Sequence, residues 1–269
     1  MRFAFGKNWR SFLDRLDDRR ISESTLAIQK SLGVERLDGL RVLDIGSGSG
    51  LSSLAFRRLG ADVTSFDYDV DSVACTQRLR DHFDPGSDAW RVAQGSVLDH
   101  AYMASLGTYD IVYAWGVLHH TGDMWDAIDQ AARRVKPGGT FVIAIYNDQG
   151  WRSRAWYHIK RIYCSSTLGR AAVIGAFYPL FATYALWLDV KRGHAPGTHA
   201  RNYAERRGMS LVHDWKDWLG GYPFEVATPA VMASRLGAGG FTVVRETITR
   251  GWGCNEFVLS LRGDDYRGQ

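Results

Sequence analysis

A short apolar run, Leu40-Arg41-Val42-Leu43-Asp44-Ile45, stops abruptly on Gly46-Ser47-Gly48-Ser49-Gly50. A β-branched run that ends at glycines reads as a buried parallel strand. After it, Leu51, Leu54, Ala55 and Leu59 recur at helical spacing, and Gly60 stands where a helix end commonly takes a left-handed residue. Glycines at a strand-to-helix turn let a ligand approach the main chain and the helix N-terminus. The pattern is G-x-G-x-G; position 51 is Leu51, so the third glycine of a dinucleotide loop is missing. A second strand over 62–66 ends on Asp67, about 20 residues further on, where a carboxylate accepts both ribose hydroxyls of an adenosine-containing ligand. Glycines also serve plain βα turns, but the strand context and Asp67 together favour a ligand site.

The alternation continues along the chain. Val70, Val73, Ala74 and Leu79 mark a helix that Asp84-Pro85-Gly86-Ser87 breaks, and strands follow over 90–94 and 109–115. Met124, Ala127, Ile128, Ala131 and Val135 share one helical face that Asp123 caps. Lys136-Pro137-Gly138-Gly139 stops this helix before a strand over 140–146. Late strands over 241–248 and 257–261 complete the set, with Thr228-Pro229 opening the helix between. Strands alternating with helices at this pitch predict an α/β, doubly wound, seven-stranded and mostly parallel sheet. Three parts are expected: an N-terminal helical cover over 1–36, lying over the site; the sheet domain over 37–146 and 228–263; and an insertion over 147–227. The insertion is too long for a plain connection, and segments of that size are usually lids or binding elements.

Composition narrows the class. Of 269 residues, 45% are hydrophobic and 23% charged, which excludes a disordered chain. The formal charge of +4, from 33 Lys+Arg against 29 Asp+Glu, is too even to indicate a nucleic-acid partner. Cys75, Cys164 and Cys254 are odd in number, widely spaced and free of metal-ligand patterns, so neither a disulfide framework nor a metal site is indicated. With no apolar region in 1–10, the expectation is a cytoplasmic protein.

Five ordered motifs carry a resemblance: the glycine loop Asp44-Ile45-Gly46-Ser47-Gly48-Ser49-Gly50; Ser65-Phe66-Asp67; Gln94-Gly95-Ser96-Val97-Leu98-Asp99; Gly116-Val117-Leu118-His119-His120; and Val135-Lys136-Pro137-Gly138-Gly139. In order and spacing they resemble the class I S-adenosylmethionine-dependent methyltransferases, most of all the branch of the ubiquinone and menaquinone biosynthesis methylases. The resemblance covers roughly 37–146 and implies a Rossmann-like domain with S-adenosyl-L-methionine as cofactor and S-adenosyl-L-homocysteine as product. It implies that Asp44 and the backbone of Gly46 and Gly48 hold the methionine end, with Ser47, Gly50 and Trp115 also among the cofactor-binding residues. Asp67 would take the ribose, Tyr68 and Val97 would sandwich the adenine, and Ser96 would lie at its edge, a position where family members often carry an acid.

Methyl transfer from a sulfonium is an in-line displacement in which positioning supplies much of the acceleration. A hydroxyl acceptor must also lose a proton, whereas an amine or stabilised carbanion need not. His119 and His120 follow the fourth strand at the carboxyl edge of the sheet, so one of them is the leading base or orienting residue; the alternative is a histidine bonded to backbone or walling the pocket. Tyr113-Ala114-Trp115-Gly116 is unlike the Asn/Asp-Pro-Pro-aromatic motif of DNA adenine methyltransferases, and no Pro-Cys pair exists, which moves small-molecule acceptors ahead of macromolecules.

In the insertion, Trp151, Trp156, Tyr157, Ile159 and Tyr163 interleave with Arg152, Arg154, Lys160 and Arg161. This reads as an amphipathic lid helix with snorkelling cations, or as a peripheral membrane contact through 151–190. The stretch 171–188 has no charged residue, yet Pro179 near its centre favours two short helices burying a lipophilic acceptor tunnel, or a patch on a bilayer surface, over a membrane span. Tyr146, Trp151, His213, Tyr222 and Glu225 are the acceptor-site candidates alongside His120, and Tyr146 and His213 join the two loop histidines as catalytic candidates; for each, buried hydrogen bonding or aromatic packing is the competing role. The reading is a methyltransferase of a small, partly aromatic or lipophilic acceptor, most simply at oxygen. Its rivals are N- or C-methylation, a non-catalytic nucleotide-binding or regulatory module, and a nicotinamide-dependent oxidoreductase, which the loop pattern disfavours.

Overall fold

The computed structural model describes residues 16–207, 211–251 and 253–263, the side chains of 204–207, 213 and 217 excepted. Helix α1 (Asp18–Leu32) precedes β1 (Arg41–Ile45), α2 (Leu51–Arg58), β2 (Asp62–Asp67), α3 (Val70–Phe83) and β3 (Trp90–Gln94). Then come α4 (His100–Ser105), β4 (Tyr109–Trp115), a 3-10 turn (Leu118–His120), α5 (Met124–Ala132) and β5 (Val135–Tyr146). The insertion contributes α6 (Trp151–Ser165), α7 (Thr167–Lys191), α8 (Thr198–Arg207) and α9 (Leu211–Gly220) before α10 (Pro229–Ala238), β6 (Phe241–Thr247) and β7 (Cys254–Leu261).

One seven-stranded sheet has the order β3-β2-β1-β4-β5-β7-β6. Strands β1 to β5 are parallel, and β7 runs antiparallel to both β5 and β6. The doubly wound sheet expected from the alternation is therefore the fold. The chain reverses its direction of build between β1 and β4, and the loops leaving their carboxyl ends part there to leave a crevice.

The central strands β1, β4 and the second half of β5 have two buried faces, which is why their sequences read as near-unbroken apolar runs. On one face Val42, Val63, Ile111, Tyr113 and Val142 meet Ile21 and Ile28 of α1, Leu54 and Phe56 of α2 and Leu79 of α3. On the other Leu43, Ile45, Val112, Phe141 and Ile143 meet Met103, Ile128, Met232 and Leu236. Each such Leu, Ile or Phe contributes about 1.5–3 kcal/mol by leaving water. Helix starts are set locally: Asp123 accepts from the Asp126 N–H, and Thr228 accepts from the Val231 N–H with Pro229 in the first turn.

Three local expectations change and one short helix is added. The run 171–188 is not two short helices around a tunnel but part of one continuous helix, α7, with Pro179 inside it. Proline removes one backbone bond and crowds the carbonyl four residues back; here that residue is Gly175, and both stand on an exposed side where water satisfies the carbonyl. The N-terminal cover does not lie over the site within the described residues: α1 covers a face of the sheet, and the Arg245 guanidinium bonds its terminal carbonyls at Lys30 and Ser31. Strand β5 starts at Val135 rather than Thr140, because the register with β4 shifts between Tyr109 and Ile111 and absorbs Pro137-Gly138-Gly139. The short α4, capped by Asp99, has too little apolar periodicity to be read from the sequence.

Gly50 shows how closely the loop is held. Its φ is +82°, and an added Cβ would lie 2.9 Å from the Thr76 Cα. Gly86 has a φ of +72° and open space around it. Gly50→Ala is expected to cost roughly 2–4 kcal/mol, from left-handed strain plus overpacking, and Gly86→Ala only about 1 kcal/mol. Denaturant unfolding of the two variants checks the difference.

Candidate active site

The crevice is built first from backbone. Gly46, Gly48 and Gly50 all have positive φ, at 72°, 57° and 82°. This curl lets the Gly46 and Ser47 N–H groups both donate to the Phe66 carbonyl, at 2.8 and 3.1 Å, fastening the loop to the end of β2. Ser47 Oγ and Thr76 Oγ1 lie 2.9 Å apart, tying the loop to α3. The Asp67 carboxylate accepts from the Gly48 N–H at 3.0 Å and from the Asp69 N–H at 2.9 Å.

Beneath the loop is a second carboxyl. Asp44 is buried and accepts from Ser53 Oγ; Ser53 Oγ lies 2.7 Å from Ser65 Oγ, which accepts from Trp90 Nε1 at 2.9 Å. Burial pushes Asp44 up to about 7, with the Ser53 bond opposing and the Asp67 charge adding to the rise. Asp67 is also raised, by burial first, against the pull of its backbone donors. No cationic side chain among the described residues enters either balance. Two acids thus stand at one crevice, one beneath the loop and one beside it, with no counter-ion among the described residues.

The other named donor residues rim the same edge. Tyr68 is largely exposed just past β2, and its carbonyl accepts from Gln94 Nε2 at 3.3 Å. Val97 is buried, while Ser96 Oγ accepts from the Leu98 N–H at 3.2 Å. Trp115, at the end of β4, stacks on Tyr113 with centroids 5.7 Å apart and planes 6° from parallel.

Across the crevice stands a cluster of rings. His119 is buried, 4.4 Å from the His120 ring and 4.2 Å from Tyr146, which in turn lies 5.4 Å from Phe224. Burial, then the neighbouring His120 and Lys160, hold His119 well below the usual histidine range, so it is neutral. His120 Nδ1 lies 2.6 Å from the Pro223 carbonyl. A carbonyl only accepts, so Nδ1 carries the proton and Nε2 is the basic nitrogen of the neutral ring.

Glu225 has a different place from the one its charge suggested. Its two carboxylate oxygens accept from the Gly122 and Met124 N–H groups at 3.0 and 3.1 Å, and its own N–H donates to the His119 carbonyl at 3.0 Å. It clamps the histidine turn to the start of α5. Tyr222 faces Tyr157 at 5.7 Å, outside the ring cluster. Trp151 is 67% exposed at the head of α6, with Arg152 over its ring at 5.6 Å. The His213 side chain lies outside the described residues.

Beside the ring cluster a cavity of about 260 Å³ opens, lined by Asp148, Ser153, Arg154, Tyr157, His158 and Phe224. None of these was singled out as a site residue from the sequence. A signal existed for the buried side of α6: Ser153, Trp156, Lys160 and Tyr163 recur at three- and four-residue spacing. Lys160 is buried there, with its Nζ donating to the Trp218 carbonyl and 5.0 Å from the Phe224 ring centroid.

With this geometry in place, residues 7–172 match the family described as "Methyltransferase domain". The chain belongs to the methyltransferase-domain family. Its fold, with the helical insertion after β5, is that of the class I S-adenosylmethionine-dependent methyltransferases. The ubiquinone biosynthesis O-methyltransferase of Pectobacterium carotovorum subsp. carotovorum (strain PC1) is 33% identical over 146 residues, 54% of this chain and 53% of the relative. That of Rhodopseudomonas palustris (strain TIE-1) is 34% identical over 119 residues, 44% of each chain. The chain thus spans about half the length of the curated relatives it matches. Among solved structures, magnesium protoporphyrin IX methyltransferase from Synechocystis PCC 6803 with bound SAM shares the fold at a TM-score of 0.53 and 13% identity, over 90% of this chain and 79% of that one.

Asp44 gives this family member a pH signature. The unfolded chain releases this proton near 3.8 and the folded one near 7, so folding takes up a proton in between. The Asp44 contribution is full below the lower value and is lost as pH rises towards the upper one, with a slope approaching about 1.4 kcal/mol per pH unit. Stability measured by denaturant unfolding is expected to fall across that interval, and Asp44→Asn is expected to flatten the fall.

Proposed function

We propose that this chain is an S-adenosylmethionine-dependent methyltransferase acting on a small, partly aromatic or lipophilic acceptor, at oxygen. The observation that carries the reading is a pair of carboxyls, buried Asp44 and partly buried Asp67, at the head of a left-handed glycine loop, with no cation among the described residues entering their balance. A ligand with a cationic end and a ribose fits that donor set: Asp67 offers carboxylate oxygens to ribose hydroxyls, and Asp44 lies under the loop as counter-charge. When bound, S-adenosylmethionine supplies a methyl group already activated by a sulfonium leaving group.

The chain's own residues then orient and deprotonate the acceptor. The histidine turn, clamped by Glu225, presents His120 with its basic Nε2 set by the Pro223 carbonyl, so an acceptor hydroxyl at that nitrogen can lose its proton as it attacks. Neutral His119 and Tyr146 form the wall beneath it. The insertion over 147–227 is the acceptor-binding part, with Arg154, Tyr157, His158 and Phe224 offering aromatic faces and basic groups around the adjoining cavity. Oxygen as the acceptor atom is supported by the printed names of the Pectobacterium and Rhodopseudomonas relatives and by a base placed at the carboxyl edge.

Calorimetry is expected to show S-adenosylmethionine and S-adenosylhomocysteine binding, lost in Asp67→Ala; absence of binding, or an unchanged variant, overturns the donor assignment. With a panel of a catechol, an aromatic amine and a β-dicarbonyl compound, mass spectrometry is expected to find one added methyl on the catechol. His120→Ala should keep donor affinity and lower kcat by roughly 10²–10⁴-fold. An unchanged kcat would remove the histidine from the proton transfer.

A further inference from the structure

The insertion carries a surface the proposed reaction does not use. Helix α7 is 25 residues long and apolar enough to cross a membrane, yet only 11% of its most apolar window is buried. One side packs: Val173, Phe177 and Phe181 meet Trp156, Trp215 and Trp218. The rest presents Leu168, Leu180, Tyr184, Leu186, Trp187 and Val190 to solvent, at 47–80% exposure. An apolar patch of this extent on a globular protein marks a contact surface.

Topology decides how such a helix meets a bilayer. The insertion leaves the sheet at Asn147 and returns beside it at Ala227, the two paired by a backbone bridge. Both ends of α7 are fastened to the same body. In its first turns Arg170 lies over the Tyr163 ring of α6 at 5.4 Å and Val173 packs with Tyr163 and Leu219 of α9; further along, the Phe177 and Trp156 rings lie 5.4 Å apart, and Trp156 lies 4.0 Å from Trp218 of α9. At its end Asp189 accepts from the Gly197 and His199 N–H groups, and α8 joins α9 through Tyr203 and Asp214. A single crossing would put these flanks on opposite sides of a membrane, and among the described residues no second helix brings the chain back. The helix therefore lies along a surface.

Charge chooses the surface. Over 151–192 the exposed cations are Arg152, Arg154, Arg161, Arg170, Lys191 and Arg192, while the single acid, Asp189, is buried and bonded. This local excess is larger than the +4 of the whole chain. Cations stand at both ends of the apolar stretch, and Tyr184 and Trp187 stack at 5.8 Å near one of them with Lys191 over the Trp187 ring. Apolar side chains between basic and aromatic ends are the layout of a helix lying in a headgroup layer of negative charge. We infer that α7 docks this protein on an anionic lipid surface, in the plane of the membrane.

The inference does not depend on methyl transfer, and its readout is binding alone. In flotation assays the full chain is expected to bind phosphatidylcholine vesicles containing phosphatidylglycerol, to bind pure phosphatidylcholine weakly, and to be released by high salt. Leu180→Glu with Trp187→Glu, and separately Lys191→Glu with Arg192→Glu, should each lower the partition coefficient by roughly tenfold or more while leaving the thermal midpoint and donor binding unchanged. The charge pair tests the idea even if the apolar pair unfolds. Equal binding to both vesicle types, or none to either, overturns it. So does resistance of membrane-bound protein to carbonate extraction, which would mean a span, or a vesicle-independent dimer that the apolar pair dissociates, which would mean a second copy covers the helix.

Discussion

The bond from the Gly48 N–H to the Asp67 carboxylate joins the two halves of the donor crevice. It holds a loop of three left-handed glycines against the end of the neighbouring strand, and the Phe66 carbonyl beside it takes two further loop N–H groups. Backbone at such a turn has donors to spare, and an anion at the next strand end satisfies one of them. Burial raises both carboxyls, the Asp67 charge adds to the rise of Asp44, and the Gly48 and Asp69 N–H groups hold the rise of Asp67 in check. The loop geometry thus sets an acidic group beside the backbone donors of one turn.

The ring cluster at the histidine turn rests on a different principle. Here order comes from a remote segment: residues 223–225, over a hundred positions after the histidine turn, supply the Pro223 carbonyl that sets the His120 tautomer and the Glu225 carboxylate that clamps the turn. Glu225 is half buried and raised by burial, yet two backbone donors hold it in place. The end of the insertion therefore takes part in the cluster. Its last residues complete the wall in which His120, Tyr146 and Phe224 sit.

The charge distribution separates two regions of the molecule. Acids gather at the donor crevice, while exposed cations gather on the insertion around α7, and the near-even overall balance conceals both. Packing on α7 uses one side of an all-round apolar helix, so burial within the fold accounts for only part of its composition.

The strand alternation, the glycine loop, Asp67 and the helix caps at Asp123 and Thr228 were legible in the chain because each rests on neighbours a few residues away: a turn needs its glycines, a cap needs its oxygen, and a strand buried on both faces needs an unbroken apolar run. Contacts across a hundred residues leave no such local mark. Glu225 as a clamp, Phe224 and Tyr157 beside the cavity, and the continuity of α7 through Pro179 all depend on what tertiary structure brings near or leaves in water. A proline beside an exposed glycine carbonyl bends no rule, but nothing in the composition says which side faces solvent. By itself the sequence determined the sheet, its order of elements and the donor loop, since local backbone chemistry dictates them. Only the tertiary structure decided which histidine nitrogen is basic, which acid is structural and which apolar residues stay outside, because those depend on long-range partners and on access to water.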